Sequence, residues 1–135
     1  MILIDTSAWV EYFRETRSPA ALEVERLLAD QSDDIAMCEP VAMEILAGAT
    51  DTAYPRLERL VNGLPSLVFD AAVDCRSAAQ FYRAGRRRGT TIRSMTDCLI
   101  AAVAIRHDAT VLHQDADFDI IGDVTDLTAR RADRQ

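Results

Sequence analysis

The sequence predicts one α/β domain over residues 1–135, built on a mostly parallel sheet of about five strands. Three observations predict it. Short apolar runs alternate with longer helical patterns along the whole chain. The helical patterns open at Pro or at Ser, Thr or Asp, and several stop at Gly. No linker, repeat or low-complexity block interrupts them. A chain of 135 residues can bury one core but not two comfortable ones. Its 49% hydrophobic content excludes a disordered chain.

The elements follow in order. MILI reads as a short buried parallel strand. Thr6 or Ser7 caps a helix through about Arg14, with Trp9, Tyr12 and Phe13 on its inner face. Pro19 opens a second helix carrying Leu22, Leu27 and Leu28. Asp33 and Asp34 break the chain before the second strand, IAM. Pro40 starts a helix that Gly48 stops, and another spans Tyr54 to Val61. Asn62, Gly63 and Pro65 form a turn into a third strand, Ser66 to Phe69. A long helix from Ala71 to Arg87 ends at Gly89. The next begins at Ser94, where Ser94 and Asp97 have the spacing of a capping-box relative. It is apolar nearly all round, hence buried. ATVLH is the fourth strand. Phe118, Ile120 and Ile121 suggest a short turn of helix, and VTDL a final edge strand.

Composition bounds the function. The first apolar run is only MILI and lacks a basic flank, so no secretory leader is expected. CLIAAVAI falls far short of the roughly 18 residues of a membrane span. A cytoplasmic protein with reduced thiols is the expectation, since Cys38, Cys75 and Cys98 lack metal-type spacing. The formal net charge of −7 argues against nucleic acid as a partner. Two facts soften that. Acids that hold a metal are neutralised locally. The cations are all Arg, and Arg83, Arg86, Arg87, Arg88 and Arg93 cluster. Arg83, Arg86 and Arg87 share a helical face, which reads either as a phosphate contact or as a solvated basic face.

Four carboxylates carry the chemistry. Asp5 closes the first strand; it reads as a metal ligand or as a helix N-cap, and Thr6 and Ser7 are available to cap instead. Glu44 borders the apolar stripe of Val41, Ile45 and Leu46, as a ligand or as an ordinary boundary Glu. Asp97 shares a helical face with Ile100, Ala101 and Ala104, so its carboxylate is half buried at a helix N-terminus, where it can cap as well as ligate. Asp115 follows the fourth strand and opens DADFD, with Asp117 the next choice; a solvated acidic loop is the plain alternative. Anions clustered at the edge of a core repel one another and resist desolvation. A hard dication is the usual remedy, and oxygen-only ligands suit Mg²⁺ or Mn²⁺. His113 reads as a hydrogen-bonded strand-end His, and His107 as a helix C-terminal one. No Ser/His/Asp or Cys/His set, GxGxxG or Walker loop is legible.

MILIDTSAWVEYF, EPVAMEILAG, RSMTDCLIAAVAI and VLHQDADFD resemble, in order and spacing, the PIN-domain toxins of the VapC family. The resemblance covers essentially the whole chain. It implies a three-layer α/β/α PIN fold with a five-stranded parallel sheet. It also implies a magnesium-dependent endoribonuclease, the toxin of a type II toxin–antitoxin pair, forming a homodimer and inhibited by a cognate VapB-type antitoxin. By position the acidic site is Asp5, Glu44, Asp97 and Asp115, with Asp117 a frequent additional acid; Glu39 is left out.

On this reading Asp5 and Asp97 are the principal ligands, while Glu44 and Asp115 bind a second ion or orient a metal-activated water for in-line attack on phosphorus. Ser7 and Ser94 support the ligands from behind. The family suggests 5′-phosphate and 3′-hydroxyl products and makes transfer RNA a plausible substrate. Trp9, Tyr12 and Phe13 are chiefly core, and the family suggests that they also line a groove for the antitoxin. Two rivals stand beside this: a catalytically inactive PIN-fold protein-binding module, and a small-molecule phosphomonoesterase using the same acids.

Overall fold

Strand order places the business end of this molecule. The computed structural model describes residues 1–30 and 34–133. Four strands, β1 (Ile2–Ile4), β2 (Ile35–Ala36), β3 (Thr110–His113) and β4 (Thr128–Arg131), form one sheet in the order β2-β1-β3-β4. All three pairings are parallel, with Leu3 between Ala36 and Val111 and Ile4 opposite Leu112. The chain therefore steps one way from β1 to β2, then returns past β1 to β3. Right-handed crossovers put the helices of the two halves on opposite faces. The order reverses at β1, and the crevice beyond the carboxyl ends of β1 and β3 is where such sheets bind ligands.

Seven helices cover the sheet among the described residues: α1 (Thr6–Phe13), α2 (Pro19–Ala29), α3 (Glu39–Ala47), α4 (Tyr54–Gly63), α5 (Ala71–Arg87), α6 (Met95–Arg106) and α7 (Ala116–Val124). Their starts follow the capping signals. Ser18, Asp70 and Ser94 accept backbone N–H bonds at the starts of α2, α5 and α6. The cap of α1 is Asp5 rather than Thr6 or Ser7. Gly89, just past α5, takes the left-handed φ of 78° that a side chain would resist. The core joins Leu3, Ile4, Val111 and Leu112 of the sheet to Trp9, Val24, Val41, Ile100 and Phe118 of the helices. Helix α6 is buried along most of its length. No helix among the described residues is long and apolar enough to cross a membrane.

Two expected strands differ. Ser66 to Phe69 makes only a single parallel bridge, Ser66 to Met37, beside β2. Pro65 and Leu67 exchange one bond each with Met37, at 2.8 and 2.7 Å. Beyond them the Val68 carbonyl turns away to accept from Arg106 and His107 at the end of α6, which stops the ladder. Val124 to Leu127 is not a strand either. It finishes α7, where the Thr125 hydroxyl bonds the Ile121 carbonyl at 2.7 Å. The edge strand is the next four residues, Thr128 to Arg131. That stretch, TARR, has no apolar alternation to announce it, and Arg130 and Arg131 pair with Glu23 and Asp119. Of the expected break at Asp33 and Asp34, Asp33 lies outside the described residues. The Asp34 carbonyl receives the Ile2 N–H at 2.8 Å.

One ion pair locks α5 to α6. The Arg106 guanidinium grips Asp74 through both carboxylate oxygens, at 2.8 and 2.7 Å, and Asp74 is 1% exposed. Arg106 holds the Asp74 carboxyl below its ordinary range, so this stabilisation is present at neutral pH and is lost as pH falls into the carboxylate range. Arg106→Met leaves Asp74 buried and unpaired, and should cost about 3 kcal/mol. Urea unfolding would show a lower midpoint at unchanged m. Adding Asp74→Leu should recover most of that loss.

Candidate metal centre

Three helix N-termini converge where the strand order reverses, and each brings a carboxylate. Asp5 leaves β1 and is the N-cap of α1. Asp115 leaves β3 one residue past Gln114 and is the N-cap of α7. Asp97 sits in the first turn of α6, its N–H bonded to the Ser94 hydroxyl at 3.3 Å. Glu44 reaches in from the middle of α3. One oxygen each from Asp5, Glu44 and Asp97 lie within 4.8 Å of one another, as do one each from Asp97, Asp115 and Asp117. Asp97 is common to both groups. Asp5, Glu44, Asp97 and Asp115 open onto a cleft of about 390 Å³, lined also by Thr6, Ser7, Glu11, Arg14 and Gln114.

Hydrogen bonds hold the cluster from behind. The Ser7 N–H and hydroxyl both donate to Asp5 Oδ2, at 3.0 and 2.6 Å. The same hydroxyl accepts the Gln114 N–H at 2.9 Å, tying the end of β3 to the end of β1. The Thr6 hydroxyl donates to Glu44 Oε1 at 2.9 Å. The Asp117 N–H donates to Asp115 Oδ1 at 2.9 Å. The Asp115 N–H donates to His113 Nδ1 at 3.2 Å, so His113 is the hydrogen-bonded strand-end residue its position suggested. Asp117 is 2% exposed, and its oxygens accept the N–H groups of Arg93 and Ser94 at 2.9–3.1 Å. Ser7 and Ser94 thus hydrogen-bond to the acids or to their backbone. Thr6 and Gln114 were not singled out by the sequence. Thr6 carried a signal, adjacency to Asp5, that its value as a helix cap obscured.

Two oxygens have no partner. Asp5 Oδ1 and Asp97 Oδ2 are buried and unbonded. Burial first, and then the neighbouring acids Asp5 and Asp115, push the Asp97 carboxyl up to about 10. Burial pushes Asp5 up to about 6 against the opposing bonds from Ser7. Acids in this state need a proton or a cation. An all-oxygen set fits a hard dication of the Mg²⁺ or Mn²⁺ kind. Cys38 and Cys98 are buried thiols pushed up to about 12, which removes them as nucleophiles.

The arginines flank this centre unevenly. Arg83, Arg86, Arg87, Arg88 and Arg93 are all exposed, and none has an acidic side-chain partner among the described residues. Arg93 lies nearest the acids, its N–H on Asp117 at one end of α7. Arg88 donates to the Asp123 carbonyl at the other end, at 3.3 Å. Arg86 rests 5.8 Å from the centre of the Tyr82 ring. Away from the acids, Tyr12, Phe13, Leu22, Leu57 and Leu60 line a second groove of about 550 Å³. Trp9 is fully buried behind it, stacked on Phe13 at 5.5 Å.

Comparison with known proteins agrees with this geometry. Residues 2–124 match the PIN domain family. VapC ribonuclease Mb1587 of Mycobacterium bovis is 65% identical over 130 residues, covering 96% of this chain and 97% of that protein. Ribonuclease VapC11 of Mycobacterium tuberculosis is equally similar. Among solved structures, VapBC-1 from nontypeable Haemophilus influenzae superposes with a TM-score of 0.76 at 18% identity, covering 99% of this chain and 100% of that one, a likeness of fold. The chain belongs to the PIN-domain family and, within it, to the VapC group.

The native fold holds the Asp5 and Asp97 protons more tightly than the unfolded chain does. Metal-free stability should therefore fall as pH rises from the ordinary Asp value of 3.8 through about 6 and onward to about 10. Asp97→Asn removes the carboxyl that the metal-free fold must keep protonated at the greatest cost. In EDTA at pH 8 it should be more stable than the parent by roughly 1 kcal/mol or more, and it should lose the rise in Tm that Mn²⁺ gives the parent. Thermal melts at both conditions check this.

Proposed function

We propose that the chain is the toxin of a type II toxin–antitoxin pair and acts as a metal-dependent endoribonuclease. The observation that carries this is the oxygen-only acid cluster with two unpartnered buried oxygens, in a chain 65% identical to VapC ribonucleases. Asp5, Glu44 and Asp97 would hold Mg²⁺, with Mn²⁺ as substitute, and Asp115 faces them across Asp97. The bound cation supplies Lewis acidity for in-line hydrolysis of a phosphodiester. The chain's own residues do the rest. Ser7 and Thr6 fix the orientation of Asp5 and Glu44, and the cleft admits a phosphate to the acids. Arg14, which lines the cleft, and Arg93, whose N–H rests on Asp117, would meet neighbouring phosphates. Arg83, Arg86, Arg87 and Arg88, at the far end of α7 from Arg93, would offer further phosphate contacts.

The partners follow the same reading. A VapB-type antitoxin would lay an apolar segment into the groove of Tyr12, Phe13, Leu22, Leu57 and Leu60 and block RNA cleavage. The active assembly would be a homodimer, and a hetero-oligomer with antitoxin.

Asp5→Asn and Asp97→Asn should each lower Mg²⁺-dependent cleavage of a transfer RNA mixture by at least about 100-fold, beyond what residues one step removed from a metal usually cost. Near-parental cleavage by either variant defeats the assignment. Hydrolysis of a generic phosphomonoester with RNA untouched would favour a phosphatase, and neither reaction a binding module. Replacing Arg86, Arg87 and Arg93 with Gln should reduce the salt slope of RNA binding by about 2, at ~0.7 per single-strand phosphate contact. An unchanged slope makes those arginines a solvated face.

A further inference from the structure

Asp117 stands apart from the other acids of the cluster. It is as buried as Asp5 and Asp97, yet it leaves no oxygen unpartnered and does not line the cleft. Asp117 Oδ2 accepts two backbone bonds, from Arg93 at 3.0 Å and Ser94 at 2.9 Å, and Oδ1 lies 3.1 Å from the same Arg93 nitrogen. Two N–H groups already occupy this carboxylate, so Asp117 has less to gain from a cation than Asp5 or Asp97, although one of its oxygens lies within 4.8 Å of oxygens of Asp97 and Asp115.

What those bonds hold is the approach to α6. Upstream, Thr90 bonds the Gly85 carbonyl through its N–H at 3.0 Å and its hydroxyl at 2.9 Å. Ile92 is buried against Gly85, where an added Cβ would come within 3.0 Å of it. Downstream, Asp117 takes the Arg93 and Ser94 N–H groups, and the Ser94 hydroxyl takes the Asp97 N–H. Asp117 is thus connected to the Asp97 backbone through one residue and two hydrogen bonds. We infer that Asp117 is a positioning residue rather than a metal ligand: its carboxylate clamps Arg93 and Ser94, sets the start of α6 and so places Asp97 in the cluster. This rests on the metal-centre reading above only for its effect on metal affinity; the clamp itself is a property of the metal-free chain.

The shared acceptor makes a discriminating test. Asn at 117 keeps one carbonyl oxygen, enough for both N–H groups, whereas Ala keeps none. Mn²⁺ binding by calorimetry to the RNA-free protein should be within about threefold of the parent in Asp117→Asn and weakened at least about tenfold in Asp117→Ala. The Arg93 and Ser94 amides should exchange with solvent as slowly in Asp117→Asn as in the parent, and faster in Asp117→Ala. Equal weakening in both variants would overturn the inference in favour of direct ligation. A lower Tm in Asp117→Ala with parental Mn²⁺ affinity would overturn it in favour of simple packing. If the parent itself bound no Mn²⁺, the metal reading would fall, and amide exchange alone would decide the clamp: unchanged exchange in Asp117→Ala would overturn it.

Discussion

The burial of carboxylates beside one another is the constraint on which the rest of this structure turns. Asp5 and Asp97 are almost fully buried, and each keeps one oxygen without a partner. The fold offsets part of that cost before any cation arrives. Asp5 and Asp115 cap helices and Asp97 lies in a first turn, so three helix N-termini point at one spot. Each such end stabilises an anion by typically 0.3–1 kcal/mol, and at most about 2 in a partly buried site. Ser7 adds two donors to Asp5. Even so, Asp5 remains pushed from 3.8 up to about 6, a residual penalty of roughly 3 kcal/mol. Dipoles and hydroxyls alone do not close that gap. A divalent charge among the oxygens does, and it also inverts the preference for protonation.

The same constraint explains why the supporting residues are short and polar. Ser7 spans two strand ends only because its hydroxyl both donates, to Asp5, and accepts, from the Gln114 N–H. An apolar residue there would leave the Gln114 N–H and Asp5 Oδ2 without the hydroxyl that links them, although the Asp5 N–H would still bond the Leu112 carbonyl at 2.9 Å. Thr6 does for Glu44 what Ser7 does for Asp5, and from the next position of the same turn. The tight first turn of α1 thereby orients carboxylates from two places, the end of β1 and the middle of α3. Strands of only two to four residues suffice because the site needs the strand ends more than the strand lengths.

The acids were legible in the sequence because their surroundings betray them. Asp5 and Asp115 follow apolar strand runs, and Asp97 interrupts an apolar helix at its start, where a charge has no cheap alternative. Glu44 was less distinct, since a boundary Glu on a helix is ordinary, and only its Thr6 bond and its nearness to Asp5 set it apart. The helices were read nearly to their ends because Pro19, Pro40, Gly48, Ser94 and Gly89 punctuate them. The sheet edges were not. Val124 to Leu127 looked apolar because Val124 ends a helix and Leu127 fills the core, whereas Thr128 to Arg131 pairs through its backbone alone. Ser66 to Phe69 has β propensity, but α6 captures its carbonyl. Edge pairing is decided by tertiary competition for backbone groups, which no local pattern encodes.

Net charge is the remaining tension, since the substrate proposed for a chain at −7 is a polyanion. The distribution resolves it better than the sum. Acids that face a cation are neutralised where they act, and they leave a local field set by the metal. Among the described residues the exposed arginines of α5 and the following turn have no acidic side-chain partners, whereas Arg106, Arg130 and Arg131 are spent on Asp74, Glu23 and Asp119. The division is between arginines that hold the fold and arginines exposed to solvent, which the proposed function would use for phosphates. Arg93 belongs to the second group by its side chain and to the first by its backbone, whose N–H rests on Asp117. A phosphate drawn to that guanidinium would therefore arrive beside the acids on the segment that positions Asp97, so binding and metal geometry share one stretch of chain.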